Sequence, residues 1–259
     1  MRGPSLGWQR PLLAALLFGA ILAACESAEQ PRPFCTVRRD AYAARFQLLS
    51  GSGPCAELKG EVLGAQAYLP DPDLPDDRYS MAIQSAALGQ RIQAGRAANP
   101  QVLPMDVDAK PYAWGKFSAD RPDESNICRV ETMSQAELRQ GPLPEIPAVE
   151  GAQAQAAQPA IDVAYRWTGV QSYVTTAITG VVWGAELEYQ LNGCTATYKV
   201  VALAPVVECG VNGMPDDSLC GGPDPDKGFL GSGLNPDIAV NCHPDLLLCV
   251  AAQDFPSLK

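Results

Sequence analysis

The stretch Val181-Val182-Trp183-Gly184-Ala185-Glu186-Leu187-Glu188-Tyr189-Gln190-Leu191-Asn192-Gly193-Cys194-Thr195-Ala196-Thr197-Tyr198-Lys199-Val200-Val201-Ala202-Leu203 decides the fold. Ala185, Leu187, Tyr189 and Leu191 alternate with Glu186, Glu188 and Gln190, the two-residue period of a half-buried strand. Asn192-Gly193 then supplies the positive φ angles of a tight two-residue turn. In the returning segment Ala196, Tyr198 and Val200 face opposite to Thr197, Lys199 and Val201. The reading is an antiparallel hairpin with Glu186, Glu188 and Lys199 on its solvated side. Cross-strand charge pairing there contributes at most about 1 kcal/mol.

Working upstream, residues 161–175 are rich in β-branched and aromatic types and form the next expected strand. Residues 44–50 and 61–69 read as two more, around the turn-prone Gly51-Ser52-Gly53-Pro54, and make an early antiparallel pair. Residues 79–88 fit either a strand or the start of a helix, because alanine and glutamine leave both open. Residues 111–118 form a strand carrying Tyr112, Trp114 and Phe117. Ser134-x-x-Glu137 is a capping box and Gly141 a stop, so one or two turns of helix are expected over 134–141. The Pro/Ala/Gln-rich stretch 141–160 has little to bury and reads as a long loop, the one internal place where a domain could end.

Downstream, residues 205–259 are dominated by Gly, Pro, Asp and Cys, with Leu246-Leu247-Leu248 as a small buried turn or strand that docks the tail. No repeat of 20 to 50 residues recurs. The fold class is therefore all-β and mainly antiparallel. It is a single barrel or sandwich over 35–259, with one short helix and a disulfide-rich, irregular C-terminal cap.

The N-terminus carries a different kind of information. Arg2 and Arg10 precede an apolar run from Leu12 to Leu22, then Ala23-Ala24-Cys25, the order of a cleavable signal peptide over 1–24. The run is short of the roughly 20 apolar residues that a membrane-spanning helix needs. Leu22-Ala23-Ala24-Cys25 resembles the lipobox of bacterial lipoproteins. The resemblance implies acyl chains of the palmitate kind on Cys25 and cleavage before it. Two or more chains hold a protein firmly to a bilayer where one does not. Glu26, in place of Asp, implies export to the outer membrane by the rule of the best-known Gram-negative lipoproteins. Residues 25–34, with Pro31 and Pro33, make the tether. The body is similar in style to cysteine-rich myxobacterial lipoproteins, notably in Asn192-Gly193-Cys194-Thr195-Ala196-Thr197-Tyr198, a resemblance with no activity attached to it.

Setting Cys25 aside leaves Cys35, Cys55, Cys128, Cys194, Cys209, Cys220, Cys242 and Cys249. An even number in an oxidising compartment reads as up to four disulfides. Eight cysteines allow 105 pairings. The last four crowd one end of the chain and are expected to pair among themselves. The net charge of −10 goes to −12 without Arg2 and Arg10, which excludes nucleic acid and anionic headgroups as natural partners.

No reaction is legible. His243, the single histidine, sits between Cys242 and Pro244 with no nucleophile elbow anywhere, and one histidine cannot complete mixed Cys/His zinc clusters. Glu186 and Glu188 share a strand face, as a carboxylate-dependent glycan hydrolase would want, but a solvated face explains them as well. Asp71, Asp73, Asp76 and Asp77 cluster in one loop, and Asp216, Asp217, Asp224, Asp226 and Asp237 are spread through another. Hard oxygen ligands on irregular loops suit calcium, so Asp216, Asp217, Asp224 and Asp226 are its candidate ligands. Ordinary Asp-Pro turn chemistry is the competing explanation, and no other cofactor is implied. Three functions stay open. The first is a lipid-anchored envelope protein of binding or structural type, with an envelope protein or a glycan as partner. The others are an envelope glycan hydrolase and a β-barrel carrier of an apolar ligand.

Overall fold

The computed structural model describes residues 32–74, 77–98, 110–148 and 154–259. The leader 1–24, Cys25, the tether up to residue 31, and Pro75 and Asp76 of the acidic loop lie outside the described residues. Residues Pro33–Lys259 form one compact unit.

Its frame is one nine-stranded antiparallel sheet. In chain order the strands are β1 (Asp40–Gly51), β2 (Gly60–Tyr68), β3 (Ser80–Ser85), β4 (Ala113–Lys116), β5 (Ile127–Thr132), β6 (Ala136–Gln140), β7 (Ile161–Val174), β8 (Thr179–Leu191) and β9 (Cys194–Leu203). The lateral order is β4-β3-β2-β1-β9-β8-β7-β5, with β6 also paired to β7. The β8–β9 turn is built as the sequence requires: Asn192 and Gly193 have φ of 49° and 85°, and Leu191 pairs with Cys194. Register shifts in β1/β9 and β7/β8 mark irregularities of the kind that bend strands, and the sheet curls. Its outer strands approach each other, where Ser118 donates to the Arg129 carbonyl, but the ladder does not close. The barrel-or-sandwich alternative thus resolves into a single curled, open sheet.

The concave face is filled with the chain's own side chains. Trp167 meets Trp183 edge-on at 5.7 Å, Tyr165 meets Tyr189 at 5.1 Å, and Tyr42, Leu63, Ile83, Leu187 and Tyr198 are fully buried around them. Cys35–Cys128 and Cys55–Cys194 cross-link this body.

Residues 79–88 do both things the sequence left open. Met81 and Ile83 alternate inward along β3, and then Ser85 accepts the Leu88 N–H and starts helix α1 (Ala86–Ala98), which buries Leu88 and Ile92. The helix expected at 134–141 is absent: those residues form strand β6. The capping-box signal competed with a period of two, Ala136 and Leu138 inward against Glu137 and Arg139, and pairing with β7 decided the outcome. Ser134 Oγ accepts the Trp114 N–H and caps nothing. The stretch after β6 lies within the one compact unit. Leu143 pairs with Gln158 and Ile146 with Gln155, extending the β6–β7 hairpin, and Arg91 of α1 donates to Gln140, Gln158 and the Pro159 carbonyl.

The cap is short-stranded: β10 (Gly210–Val211) with β11 (Met214–Pro215), and β12 (Val240–Cys242) with β13 (Cys249–Ala251). It covers the convex side of β8 and β9, where Val182, Val201 and Leu203 pack on Ile238, Ala251 and Phe255. A Cβ at Gly184 would lie 2.7 Å from Phe255 Cβ, so only glycine permits this approach. Cys209–Cys242 and Cys220–Cys249 lie side by side within it. Leu247, at φ 53°, gives its carbonyl to the Cys209 N–H, and Leu248 bridges Glu208.

Candidate functional site

The convex face of β2, β3 and β4 carries a cluster of open aromatic side chains. On β2 and β3 the inward set is Leu63, Ala65, Met81 and Ile83, so Gly64, Gln66, Tyr68, Ala82 and Gln84 point outward. Cross-strand register aligns Gln66 with Ala82 and Ala82 with Trp114, making a row across three strands. Tyr68, Tyr112 and Trp114 stay 44%, 38% and 40% exposed, where large apolar groups are normally covered. Two hollows of about 460 and 510 Å³ lie there and share Tyr68, Ala82 and Tyr112, so they form one groove. Trp114 Nε1–H donates to Ser80 Oγ at 3.1 Å, which fixes the indole against the sheet. Sequence reading placed Tyr112 and Trp114 on a strand. It missed their outward side, although both alternate with Ala113, Gly115 and Phe117.

A second feature was also missed. Glu61 lies on the inward row of β2 with Leu63 and Ala65, an acid on an apolar face. Its Oε2 accepts the Ser85 hydroxyl at 2.6 Å, and Ser85 Oγ in turn accepts Tyr165 O–H at 3.3 Å. Oε1 is buried with no hydrogen-bond partner. Burial pushes the carboxyl up to about 7, against the lowering effect of the Ser85 and Tyr165 hydroxyls. Tyr189 beside it is pushed up to about 12, first by burial and then by the Glu61 charge.

The expected site residues fall elsewhere. Glu186 and Glu188 do share the convex face, but it is open. Glu188 Oε1 is held by Arg166 at 2.6 Å, and exposed Glu186 is, among the described residues, the only acid lining its hollow. The flanking pair of carboxyls that glycoside hydrolysis needs is not built there. His243 Nδ1 faces the backbone N–H groups of Asp245 and Leu246 at 3.3 and 3.4 Å, and burial lowers its pKa, so it is a turn residue. The space a barrel carrier would give its ligand is occupied by Trp167, Trp183, Tyr42 and Tyr198.

The candidate calcium ligands are not brought together. Asp216 Oδ1 accepts the Ser218 N–H and hydroxyl, and Asp217 Oδ1 accepts the Cys242 N–H at 2.6 Å. Asp224 sits in a backbone pair with Phe229, and Asp226 lies exposed in the next turn. Among the described residues, the one group of three converging ligand atoms is Cys209, Cys220 and Cys249, whose sulfurs are already in disulfides. In the earlier loop Asp77 accepts the Asp71 N–H and pairs with Lys116, which hold its carboxyl down at about 2. Among the described residues no helix is long and apolar enough to cross a membrane.

A protein from Myxococcus xanthus named "Putative lipoprotein MlpA" is 34% identical to this chain over 102 residues, 38% of the chain and 40% of that protein. The match thus covers less than half the length of this curated relative. No solved structure matches. The model of the MlpA family matches residues 40–205, from the first residue of β1 to just past the end of β9, and leaves the cap outside. By that match over most of its length the chain belongs to the MlpA family.

Proposed function

We propose that this is a lipid-anchored envelope protein that acts by binding, with the convex face of β2–β4 as its ligand surface. The groove between Tyr68, Tyr112 and Trp114 carries the reading, because three ordered aromatic rings left open on a rigid sheet are the usual mark of a recognition site. The anchor is supported by the lipobox and by the relative's printed name. Lipid on Cys25 holds the body at a bilayer, and Glu26 directs it to the outer membrane.

Two measurements test this. Cys25→Ser moves the protein from the membrane to the soluble fraction, and continued sedimentation with membranes would refute the anchor. Built on Cys25→Ser, so that lipid does not itself hold the protein to membranes, the double variant Tyr112→Ala/Trp114→Ala, with its far-ultraviolet circular dichroism and urea midpoint unchanged, loses binding to isolated envelope fractions. Undiminished binding would remove the convex face from consideration.

A further inference from the structure

The groove on β2–β4 has the chemistry of a saccharide site. We propose that it takes an extended glycan strand, with sugar rings laid on Tyr112 and Trp114 and hydroxyls bonded by Gln66 and Gln84. This rests on the convex face being the binding surface.

Shape comes first. The two hollows meet at Tyr68, Ala82 and Tyr112, so the groove runs across the strands from Arg39 and Asp40 at one end to Lys110 and Ser134 at the other. From β1 to β4 that is three strand spacings, about 14 Å. The floor is Gly64 and Ala82, residues too small to fill it. An added Cβ at Gly64 would meet nothing nearer than the Gln84 carbonyl at 3.8 Å. The walls are flat rings, and Trp114 is already fixed by its bond to Ser80, so ordering it on binding costs little.

The polar groups select the class of ligand. Gln66 and Gln84 each offer a donor and an acceptor, the complement of a hydroxyl, which is also both. The groove crosses the face of the sheet, where β2 and β3 are paired on both sides, and at β4, the last strand on that side, Ser134 already accepts the Trp114 N–H and donates to its carbonyl. A peptide laid there would find no strand to join and would keep its own backbone groups unpaired. Single-stranded nucleic acid stacks on aromatics too, but it needs a cationic track along its phosphates. Here, among the described residues of the lining, cations stand only at the ends, Arg39 and Lys110, on a chain of net charge −10. Among the described residues the single acid of the lining, Asp40, is held by Arg38 at 3.0 Å. Those two end cations accommodate carboxylate-bearing sugars as readily as neutral ones.

The test uses the full chain in detergent with two probes, a neutral hexamer of N-acetylglucosamine and an acidic oligogalacturonate. Saturable binding of at least one is expected by calorimetry. Tyr112→Ala and Trp114→Ala should each weaken it about tenfold or more. Gly64→Leu, which fills the floor at a residue of ordinary φ, should block it while both rings stay in place. The buried Trp167 and Trp183 report folding of every variant through near-ultraviolet dichroism. Absence of saturable binding to both probes at millimolar concentration overturns the saccharide assignment. If the Tyr112→Ala/Trp114→Ala variant still loses envelope binding in that case, the face binds something else. If it keeps envelope binding, the binding surface falls as well.

Discussion

The sheet and the cap are stabilised by opposite means. From β1 to β9 the chain buries two tryptophans, several tyrosines and a continuous aliphatic layer, and its two disulfides close spans of 93 and 139 residues. Past Pro205 the strands shrink to two or three residues, and two disulfides of span 33 and 29 stand where a core would be. The family match ends at the same place, at residue 205. A region that folds on apolar burial can present a stiff outer face, whereas a region held by cross-links and turns serves as a cover. The candidate binding groove lies on the first kind.

The largest expected effect is on the core. Trp167 is 1% exposed and packs on Trp183, so Trp167→Ala should cost about 3–5 kcal/mol. Because the cap rests on β8 and β9, its signals should be lost in the same transition. A cap that stays protected from hydrogen exchange after the sheet has melted would break the comparison.

Next is the cross-link. Replacing both Cys220 and Cys249 by serine releases a 29-residue span, worth about 3.6 kcal/mol on loop-entropy grounds. Amides around β12 and β13 should lose protection while β7–β9 keep theirs. Equal loss in both would mean that the sheet depends on its cover.

Glu61 is the exception within the sheet, a polar group in an apolar layer. Its folded pKa, raised to about 7, lies above its ordinary 4.5, so the native state holds the proton that the unfolded chain releases. Its favourable contribution is fully present below pH 4.5 and is lost as pH rises through 7. Glu61→Gln keeps an acceptor for Ser85 and removes the charge. It should raise stability at pH 8 by as much as about 3 kcal/mol and change little near pH 4. Urea midpoints at the two pH values measure this, and equal shifts at both would show that packing, not charge, is the cause.

How much of this was legible follows the same division. The hairpin at 181–203 could be read residue by residue because burial on one face imposes a period of two, and turn chemistry at Asn192-Gly193 agrees with it. At 134–141 two local signals disagreed, and only the partner strand β7, distant in the chain, chose between them. Disulfide pairing was half legible: crowding kept the last four cysteines to one another, as Cys209–Cys242 and Cys220–Cys249 do, but spacing does not encode which of them meet, nor that Cys35 meets Cys128 and Cys55 meets Cys194. The groove was half visible. Tyr112 and Trp114 alternate with small and apolar residues, but nothing local says that no other element covers their side. Glu61 left a trace as well, in step with Leu63 and Ala65, a mismatch that a parity check detects.

The smallest effects set like chemistry in the two regions side by side. Glu188 on the sheet and Asp217 in the cap each make one contact at 2.6 Å: Glu188 Oε1 accepts from Arg166, and also from the Gln190 amide at 3.1 Å, while Asp217 Oδ1 accepts the Cys242 N–H. The Glu188 pair is largely solvated, and Glu188→Gln should cost under about 1 kcal/mol. Asp217 ties the 3-10 turn at Asp217–Cys220 to β12, and Asp217→Ala leaves the Cys242 N–H short of its acceptor, a loss of about 1–2 kcal/mol. The ranking is the informative outcome, read from denaturant midpoints of the two variants in one buffer. If Glu188→Gln proves the costlier, the sheet leans on its surface charges, and the division between a region stabilised by burial and one stabilised by specific polar contacts and cross-links fails.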